Sequence, residues 1–200
     1  MIDNKAVTQV AIDDLLASRW SGRAFDPERL LEREQILTLV EAARWAPSCF
    51  GDQPWRYVIC DKQANKAAWD TAMSCLAEGN QAWAQHAPLL LLAVADSKLV
   101  AREGHNRWGQ YDTGAASENL CLQATSMGLM VHQMGGFDKE QAARVFAVPD
   151  RYEPMAMIAV GYQLPLESIS EEQKERELKE RARRPIGDNF FDGTWDKPYD

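Results

Sequence analysis

The stretch PLLLLAVA, residues 88–95, decides the fold. An uninterrupted apolar run of this length predicts a strand that is buried on both of its faces. Three more strands are predicted elsewhere in the chain. Residues 55–60 alternate between apolar and polar side chains, while residues 129–133 and 155–160 are short and largely apolar. The chain therefore predicts a sheet with at least one fully buried strand.

Helical periodicity covers most of the remaining chain. The predicted helices span residues 7–18, 34–45, 65–77, 80–85, 109–127, 139–146 (capped by Asp138) and 170–183. The helix at 109–127 is poor in charge, which predicts burial in the middle of the protein or at a dimer interface. The irregular tail at 185–200 carries Phe190, Phe191 and Trp195, so we expect it to pack on its own core or on a partner subunit.

Length, charge and cysteine content limit the classes of function. The 200 residues suit one domain, and 22 basic against 30 acidic residues give a net charge of −8. That balance argues against nonspecific nucleic-acid binding and against an anionic membrane surface. The 4 cysteines lack metal-site spacing, and reduced thiols indicate a cytoplasmic protein. The opening residues, MIDNKAVTQV, lack a secretory pattern, and no apolar run approaches the ~20 residues that span a bilayer.

Irregular segments carry the residues that point to a binding site. WAPSCFGDQPWRY, residues 45–57, either plugs the edge of a core or forms part of a site. RWSGR, residues 19–23, places two arginines around a serine, and RARRP, residues 181–185, is a second basic cluster. Each cluster alone is explained by a solvated helix end. Two such clusters at opposite ends of an acidic chain can also converge on one phosphate.

No motif in the sequence supplies a nucleophile or an acid–base pair. Gly135 and Gly136 follow a predicted strand, where they allow a ligand to approach the backbone or form a plain turn. The chain has no GxGxxG, P-loop, HExxH or GxSxG pattern. Its three histidines are scattered, and each is interpreted as a solvent or core residue. A phosphate cradle without a reactive side chain suits an enzyme whose cofactor does the chemistry.

Five segments in order resemble motifs of the nitroreductase family of FMN-dependent flavoproteins. RWSGRAF resembles RxSxRxF, APSCFGDQPW resembles APSxxNxQPW, and GNQAWAQHAP, MGLMVHQMGGFD and RARRP resemble later segments of the family. The resemblance implies an α+β fold, a three-layer sandwich with a central, mainly antiparallel sheet flanked by helices. It also implies a single FMN-binding domain over residues 1–200. The active form would be a homodimer with sites at the interface and a domain-swapped C-terminal arm at 185–200.

The resemblance implies roles for individual residues. The FMN phosphate and ribityl chain would be held by Arg19, Trp20, Ser21, Arg23, Arg181 and Arg183. The isoalloxazine ring would contact Asn80, Gln133, Met134, Gly135 and Gly136. Pro47, Ser48 and Cys49 would reach the flavin of the partner subunit, and Phe50 would face the substrate. No catalytic side chain is implied.

The implied activity is an FMN-dependent oxidoreductase. It would use NADH or NADPH to reduce a small electron acceptor, such as a nitroaromatic or quinone, by a ping-pong mechanism. The chain departs from the family pattern at Cys49, Gly51, Trp83 and Gly135. These departures bear on the choice of substrate and on the flavin redox potential more than on the identity of the cofactor. The alternatives are an FMN enzyme for one specific metabolite, a non-enzymatic flavin-binding sensor, and a structural dimer without a cofactor.

Overall fold

An antiparallel sheet of four strands lies at the centre of the computed structural model, which describes residues 4–100 and 103–199. Its strands are β1 (Trp55–Asp61), β2 (Leu89–Asp96), β3 (Met130–Met134) and β4 (Tyr152–Gly161). They lie in the order β1-β2-β4-β3, and every neighbouring pair is antiparallel. The four predicted strands are confirmed, with β4 beginning three residues earlier than predicted.

Strand β2 is buried along its whole length because it contributes to the core on both sides of the sheet. Leu90 and Leu92 pack into one apolar cluster, and Leu89 and Leu91 pack into another. This alternation follows from the two-residue period of a strand. Each fully buried leucine side chain contributes about 1.5–3 kcal/mol, so this strand anchors both layers of helices.

The helices of the described chain flank the sheet on both faces. They are α1 (Asp14–Ser18), α2 (Arg33–Arg44), α3 (Lys66–Cys75), α4 (Glu78–Ala84), α5 (Gly109–Ser126), α6 (Lys139–Val145) and α7 (Glu171–Glu177). Helices α3, α4 and α6 pack on the face that carries Leu90, and α2 and α5 pack on the opposite face. The fold is therefore an α+β three-layer sandwich, as the resemblance implies.

Helix α5 is buried on one side and open on the other. Ala116, Leu120 and Ala124 pack into the core beside α2, whereas Tyr111 is largely exposed. The helix begins at Gly109, where a Cβ would overlap the carbonyl oxygen of Asp96 at the end of β2. The glycine thus lets the helix start directly against the sheet. The prediction of a buried central helix is confirmed for this one face.

Two helix predictions were wrong in their bounds. The helix predicted over residues 7–18 begins only at Asp14, because the Asp13 side chain caps it by accepting from the Leu15 N–H. Val7, on the apolar stripe that suggested the longer helix, is 80% exposed. The helix predicted over 170–183 is α7, which ends at Glu177. There the side chain of Asn4 donates to the Glu177 carbonyl at 2.8 Å, a distant contact that no local pattern reveals.

The C-terminal arm is irregular apart from a short 3-10 turn at Ile186–Asp188. Phe191 and Trp195 stack on each other with ring centroids 4.9 Å apart, yet Trp195 is 79% exposed. Phe190 is also largely exposed. Phe190 and Trp195 therefore lie outside the core of the described chain. Residue 200 lies outside the described residues.

Candidate functional site

The two basic segments of the chain meet at one cavity of about 440 Å³. It is lined by Asn4, Arg19, Trp20, Ser21, Arg23, Arg176, Glu177, Lys179, Glu180, Arg181 and Arg183. All six residues that the resemblance assigns to the FMN phosphate and ribityl chain are in this set. The sequence left the convergence of the clusters open, and the structure brings them together.

Arg181 combines a structural role with its place in the cavity. Its guanidinium donates three hydrogen bonds of 2.8 Å, to the backbone carbonyls of Asn4, Ala17 and Arg19. A guanidinium has five N–H groups, so two donors remain for a ligand. Arg183 is more exposed and donates only to the adjacent Ala182 carbonyl. Arg181 thus ties the N-terminal segment to the C-terminal one, while Arg183 is left to face a ligand.

The cavity carries positive charge that the described residues do not neutralise. Of the five arginines in the two basic motifs, only Arg19 has a described acidic side chain within 4.0 Å, that of Glu118 at 3.6 Å. Burial lowers the pKa of the Arg181 guanidinium, and repulsion from Arg19 and Arg183 lowers it further. An anion between these groups relieves that repulsion. Several N–H donors around one cavity suit a phosphate group, with its acceptor oxygens.

The loop between Arg19 and Arg23 is held from two sides. The carbonyl oxygen of Gly22 lies 3.0 Å from Nδ1 of His132, and the N–H of Arg23 donates to Oε1 of Glu177 at 2.9 Å. A Cβ at Gly22 would overlap the sulfur of Met130, so a larger residue at this position needs the methionine side chain to move. Strand β3 and the end of helix α7 therefore place this loop at the cavity.

Glu177 is buried although it lies among arginines. It is 2% exposed, and its Oε2 has no hydrogen-bond partner among the described residues. Burial raises the pKa of this carboxyl, against the effect of hydrogen bonds from the Arg23 and Ala24 backbone. A carboxyl in such a place is more easily protonated than one in water.

His132 and Trp83 pack as a pair behind the loop. Their ring centroids are 4.6 Å apart, and the Arg23 guanidinium lies 5.8 Å from the Trp83 ring centroid. Burial lowers the pKa of His132, and the charges of Arg23 and Arg19 lower it further. The imidazole is therefore neutral at physiological pH. Because the Gly22 carbonyl can only accept, the hydrogen lies on Nδ1.

The glycine turn after β3 offers open space for a flat ligand. No heavy atom lies within 4 Å of the position that a Cβ of Gly135 would occupy. Gly136 is close to α4, since Asn80 Nδ2 donates to its carbonyl at 2.9 Å and a Cβ would stand 2.8 Å from that nitrogen. Met134 is buried, and the Gln133 amide donates to the Cys121 sulfur at 3.3 Å. These residues form one turn at the end of the strand that also carries His132.

The loop at Pro47, Ser48 and Cys49 does not line the cavity of the same chain. It is held by its own contacts, with the Cys49 N–H donating to Asp112 on α5 at 3.0 Å. Phe50 is exposed and has a φ of 57°, and Gly51 has a φ of 67°. Glycine and asparagine are the residues that tolerate this left-handed region best. The glycine at 51 therefore keeps the backbone that the family's asparagine allows and loses only its side chain.

Sequence reasoning missed two residues that hold the loop at the cavity, His132 and Glu177, and named Trp83 only as a departure from the family pattern. Strand alternation places His132 on the same face as the buried Met130 and Met134, and this was the available signal. Nothing local distinguishes Glu177 from the other charged residues of α7. Within the part of the chain that is described, no group of three His, Cys, Asp or Glu side chains is arranged to hold a metal. None of the described helices has the length and apolarity to cross a membrane.

Comparison with known proteins gives the same picture. The model of the nitroreductase family matches residues 16–162. A crystal structure described as an oxidoreductase containing FMN is 32% identical, with a TM-score of 0.88, and the match covers 98% of this chain and 99% of the other. An uncharacterised 15.4 kDa protein of Mycolicibacterium smegmatis is 34% identical over 64% of this chain and 85% of its own length.

A relative with a named activity is more distant. The major NAD(P)H-flavin oxidoreductase of Aliivibrio fischeri is 21% identical, over 82% of this chain and 92% of its own length. The family model includes the segment at residues 19–23 and the glycine turn, and the 32% identical structure covers 98% of the chain. The chain therefore belongs to the nitroreductase family.

Proposed function

We propose that the chain is an FMN-dependent oxidoreductase that binds the FMN phosphate between its two basic segments. The observation that carries the proposal is the convergence of RWSGR and RARRP on one cavity. The lowered pKa of the Arg181 guanidinium agrees with it, because burial, and then repulsion from Arg19 and Arg183, disfavour the charged form that a bound anion would favour. The relatives described as an oxidoreductase containing FMN and as an NAD(P)H-flavin oxidoreductase support FMN, with NADH or NADPH as the reductant.

The remaining cofactor contacts are proposed at the glycine turn. The open space at Gly135 and the hydrogen bond that ties Asn80 to Gly136 support a ring bound against this turn. Gln133 and Met134 would complete its surroundings. The backbone on this side is fixed by β3, so the chain would offer a preformed surface and little reorganisation on binding.

FMN supplies the two-electron transfer between the nicotinamide and the acceptor, and the protein binds, orients and encloses the reactants. Such chemistry needs positioning more than a dedicated acid or base. The side chains around the cavity agree with this, since the neutral His132 uses its Nδ1 hydrogen for the Gly22 carbonyl. We propose a ping-pong mechanism in which the acceptor, a nitroaromatic, a quinone or another small molecule, follows the nicotinamide at the same face.

A homodimer is proposed because one chain does not bring all predicted site residues together. Pro47, Ser48 and Cys49 would complete the partner's site, and Phe50 would face the substrate. The exposed aromatics of the arm at 185–200 support docking onto a partner subunit. Since both apolar clusters share one sheet, we treat residues 1–200 as a single FMN-binding domain. The four unbridged cysteines support a cytoplasmic location.

The direct test is reconstitution with FMN followed by reduction. We expect purified protein to retain FMN, NADH or NADPH to reduce the bound flavin, and an acceptor to reoxidise it. The variant carrying Arg19→Ala and Arg183→Ala should lose FMN while remaining folded. Equal FMN retention by that variant would reject the phosphate site. Bound flavin that neither nicotinamide reduces would favour a sensor, and turnover of one metabolite alone would favour a dedicated enzyme.

A further inference from the structure

One peptide group beside the cavity is held at both ends by titratable side chains, one partly buried and one buried. The Gly22 carbonyl and the Arg23 N–H belong to the same peptide, and they contact His132 and Glu177 respectively. With this peptide fixed, the Cα of Arg23 and the direction of its side chain are fixed as well. The two contacts therefore place an arginine that we assign to the phosphate.

A carboxyl is an unexpected group for this task. Backbone N–H groups need only an oxygen acceptor, which a neutral side chain can supply. Glu177 instead brings a titratable group into a site for an anion, and its Oε2 has no partner in the described chain. The charged groups that face it are Arg23 from the loop and Arg176 from its own helix. The imidazole of His132, on β3, contacts the same peptide from the other side.

Binding of a phosphate shifts the protonation equilibrium of the Glu177 carboxyl. An FMN phosphate adds about −1.5 to −2 charges to the cavity, and a nearby ionised carboxylate is repelled by it. Burial already favours the uncharged form of Glu177. A proton from solvent can bind the carboxylate at the unpartnered Oε2, while Oε1 continues to accept from the backbone. Protonation thus removes the repulsion and leaves the peptide contact in place.

We propose that Glu177 is a positioning residue that holds Arg23 for the FMN phosphate and takes up a proton when that phosphate binds. The proposal rests on the proposed FMN site. It makes FMN affinity depend on pH through a residue that does not carry out the chemistry. FMN binds more weakly as Glu177 ionises at higher pH.

Three variants separate the effect of holding the Gly22–Arg23 peptide in place from the effect of the charge on Glu177. Glu177→Gln keeps an oxygen acceptor and removes the charge, and Glu177→Ala removes both. Glu175→Gln removes one charge from an exposed position of the same helix and serves as the matched control. The FMN dissociation constant is measured for each by fluorescence titration of apoprotein, from about pH 5 to about pH 9. The phosphate's own second ionisation, with a pKa of about 6, is common to all variants and cancels in a ratio.

The wild-type dissociation constant divided by that of Glu177→Gln should rise about tenfold across this range, since a nearby like charge shifts a pKa by about one unit or more. The same ratio for Glu175→Gln should stay flat. Glu177→Ala should bind FMN about tenfold more weakly than Glu177→Gln at low pH, because the Arg23 peptide has lost its acceptor. Hydrogen exchange of the Arg23 amide in apoprotein should be slow in wild type and Glu177→Gln and fast in Glu177→Ala.

A flat ratio for Glu177→Gln would overturn the proton uptake. Wild-type affinity in Glu177→Ala, or unchanged exchange of its Arg23 amide, would overturn the positioning role. If Glu177→Ala does not fold, the pH-dependent ratio of the glutamine variant decides alone. Wild-type protein that binds no FMN at any pH would reject the proposed function as well, whereas tight FMN binding with a flat ratio rejects only this inference.

Discussion

Replacing Arg181 with alanine should destabilise the protein even without a cofactor, while replacing Arg183 should not. Arg181 donates to three backbone carbonyls, at Asn4, Ala17 and Arg19. Arg183 donates only to its neighbour, Ala182. The two arginines lie two positions apart in one motif and line the same cavity, so they form a matched pair. Their comparison separates a structural contribution from ligand binding.

The magnitude follows from the contacts. A hydrogen bond from a charged donor contributes about 1.5–3 kcal/mol, and the partial exposure of this site argues for less than the full sum of three. We expect Arg181→Ala to lose about 3 kcal/mol of unfolding free energy, which lowers the melting temperature by roughly 6–12 °C in a chain of this size. Arg183→Ala should change the unfolding free energy by less than about 0.5 kcal/mol.

Denaturant unfolding of apoprotein and FMN titration provide the assay. Both alanine variants should bind FMN more weakly, by about 10- to 150-fold for one lost charge-assisted contact to phosphate. Arg181→Lys keeps the charge, but a point donor cannot span three carbonyls, so this variant should lose most of the stability and less of the affinity. Equal unfolding free energies for Arg181→Ala and Arg183→Ala would refute the reasoning.

Further predictions concern the glycine turn and the end of strand β2. Gly135→Ala should leave the melting temperature of apoprotein unchanged and weaken FMN binding. Gly136→Ala should lower the melting temperature, because its Cβ would stand 2.8 Å from the Asn80 amide nitrogen. Equal melting temperatures for the two variants would contradict this reasoning. Burial alone would raise the pKa of Asp96, but the Arg151 guanidinium and the backbone hold it below its usual value. The ionised Asp96 therefore stabilises the fold fully above the ordinary carboxyl pKa, and this stabilisation is lost as the pH falls through the lowered pKa. The Asp96→Asn variant should be less stable than wild type at neutral pH, and in thermal unfolding scans its melting temperature should fall less on acidification.

The strands of the sheet could be predicted from the sequence because each is encoded by a pattern of a few adjacent residues. The continuous apolar run of β2 predicts burial on both faces, and every residue of that strand is buried. The end of α7 was not readable, since it depends on Asn4, which is far away in the chain. In the same way, the helical stripe that begins at Val7 does not become a helix until the cap at Asp13. A distant hydrogen bond marks the end of α7 and a local side-chain cap marks the start of α1, so helical periodicity alone predicts neither boundary.

The candidate site also contains some residues that the sequence predicts and others that it does not. Two arginine clusters and a glycine pair can be recognised from residue types, and the family resemblance placed them at one cofactor. Their meeting at a cavity depends on the chain ends coming together through Arg181. Glu177 is indistinguishable in the sequence from the other charged residues of α7, because its place at the cavity depends on burial and on its neighbours. Chemistry that arises from packing is visible only in three dimensions.

The measurement that tests the central claim most directly is an anaerobic titration of FMN-loaded protein with NADH and with NADPH. The account predicts that purified protein is yellow, that at least one nicotinamide bleaches the flavin absorbance, and that an added quinone or nitroaromatic restores it. Colourless protein that cannot be reconstituted with FMN would contradict the account.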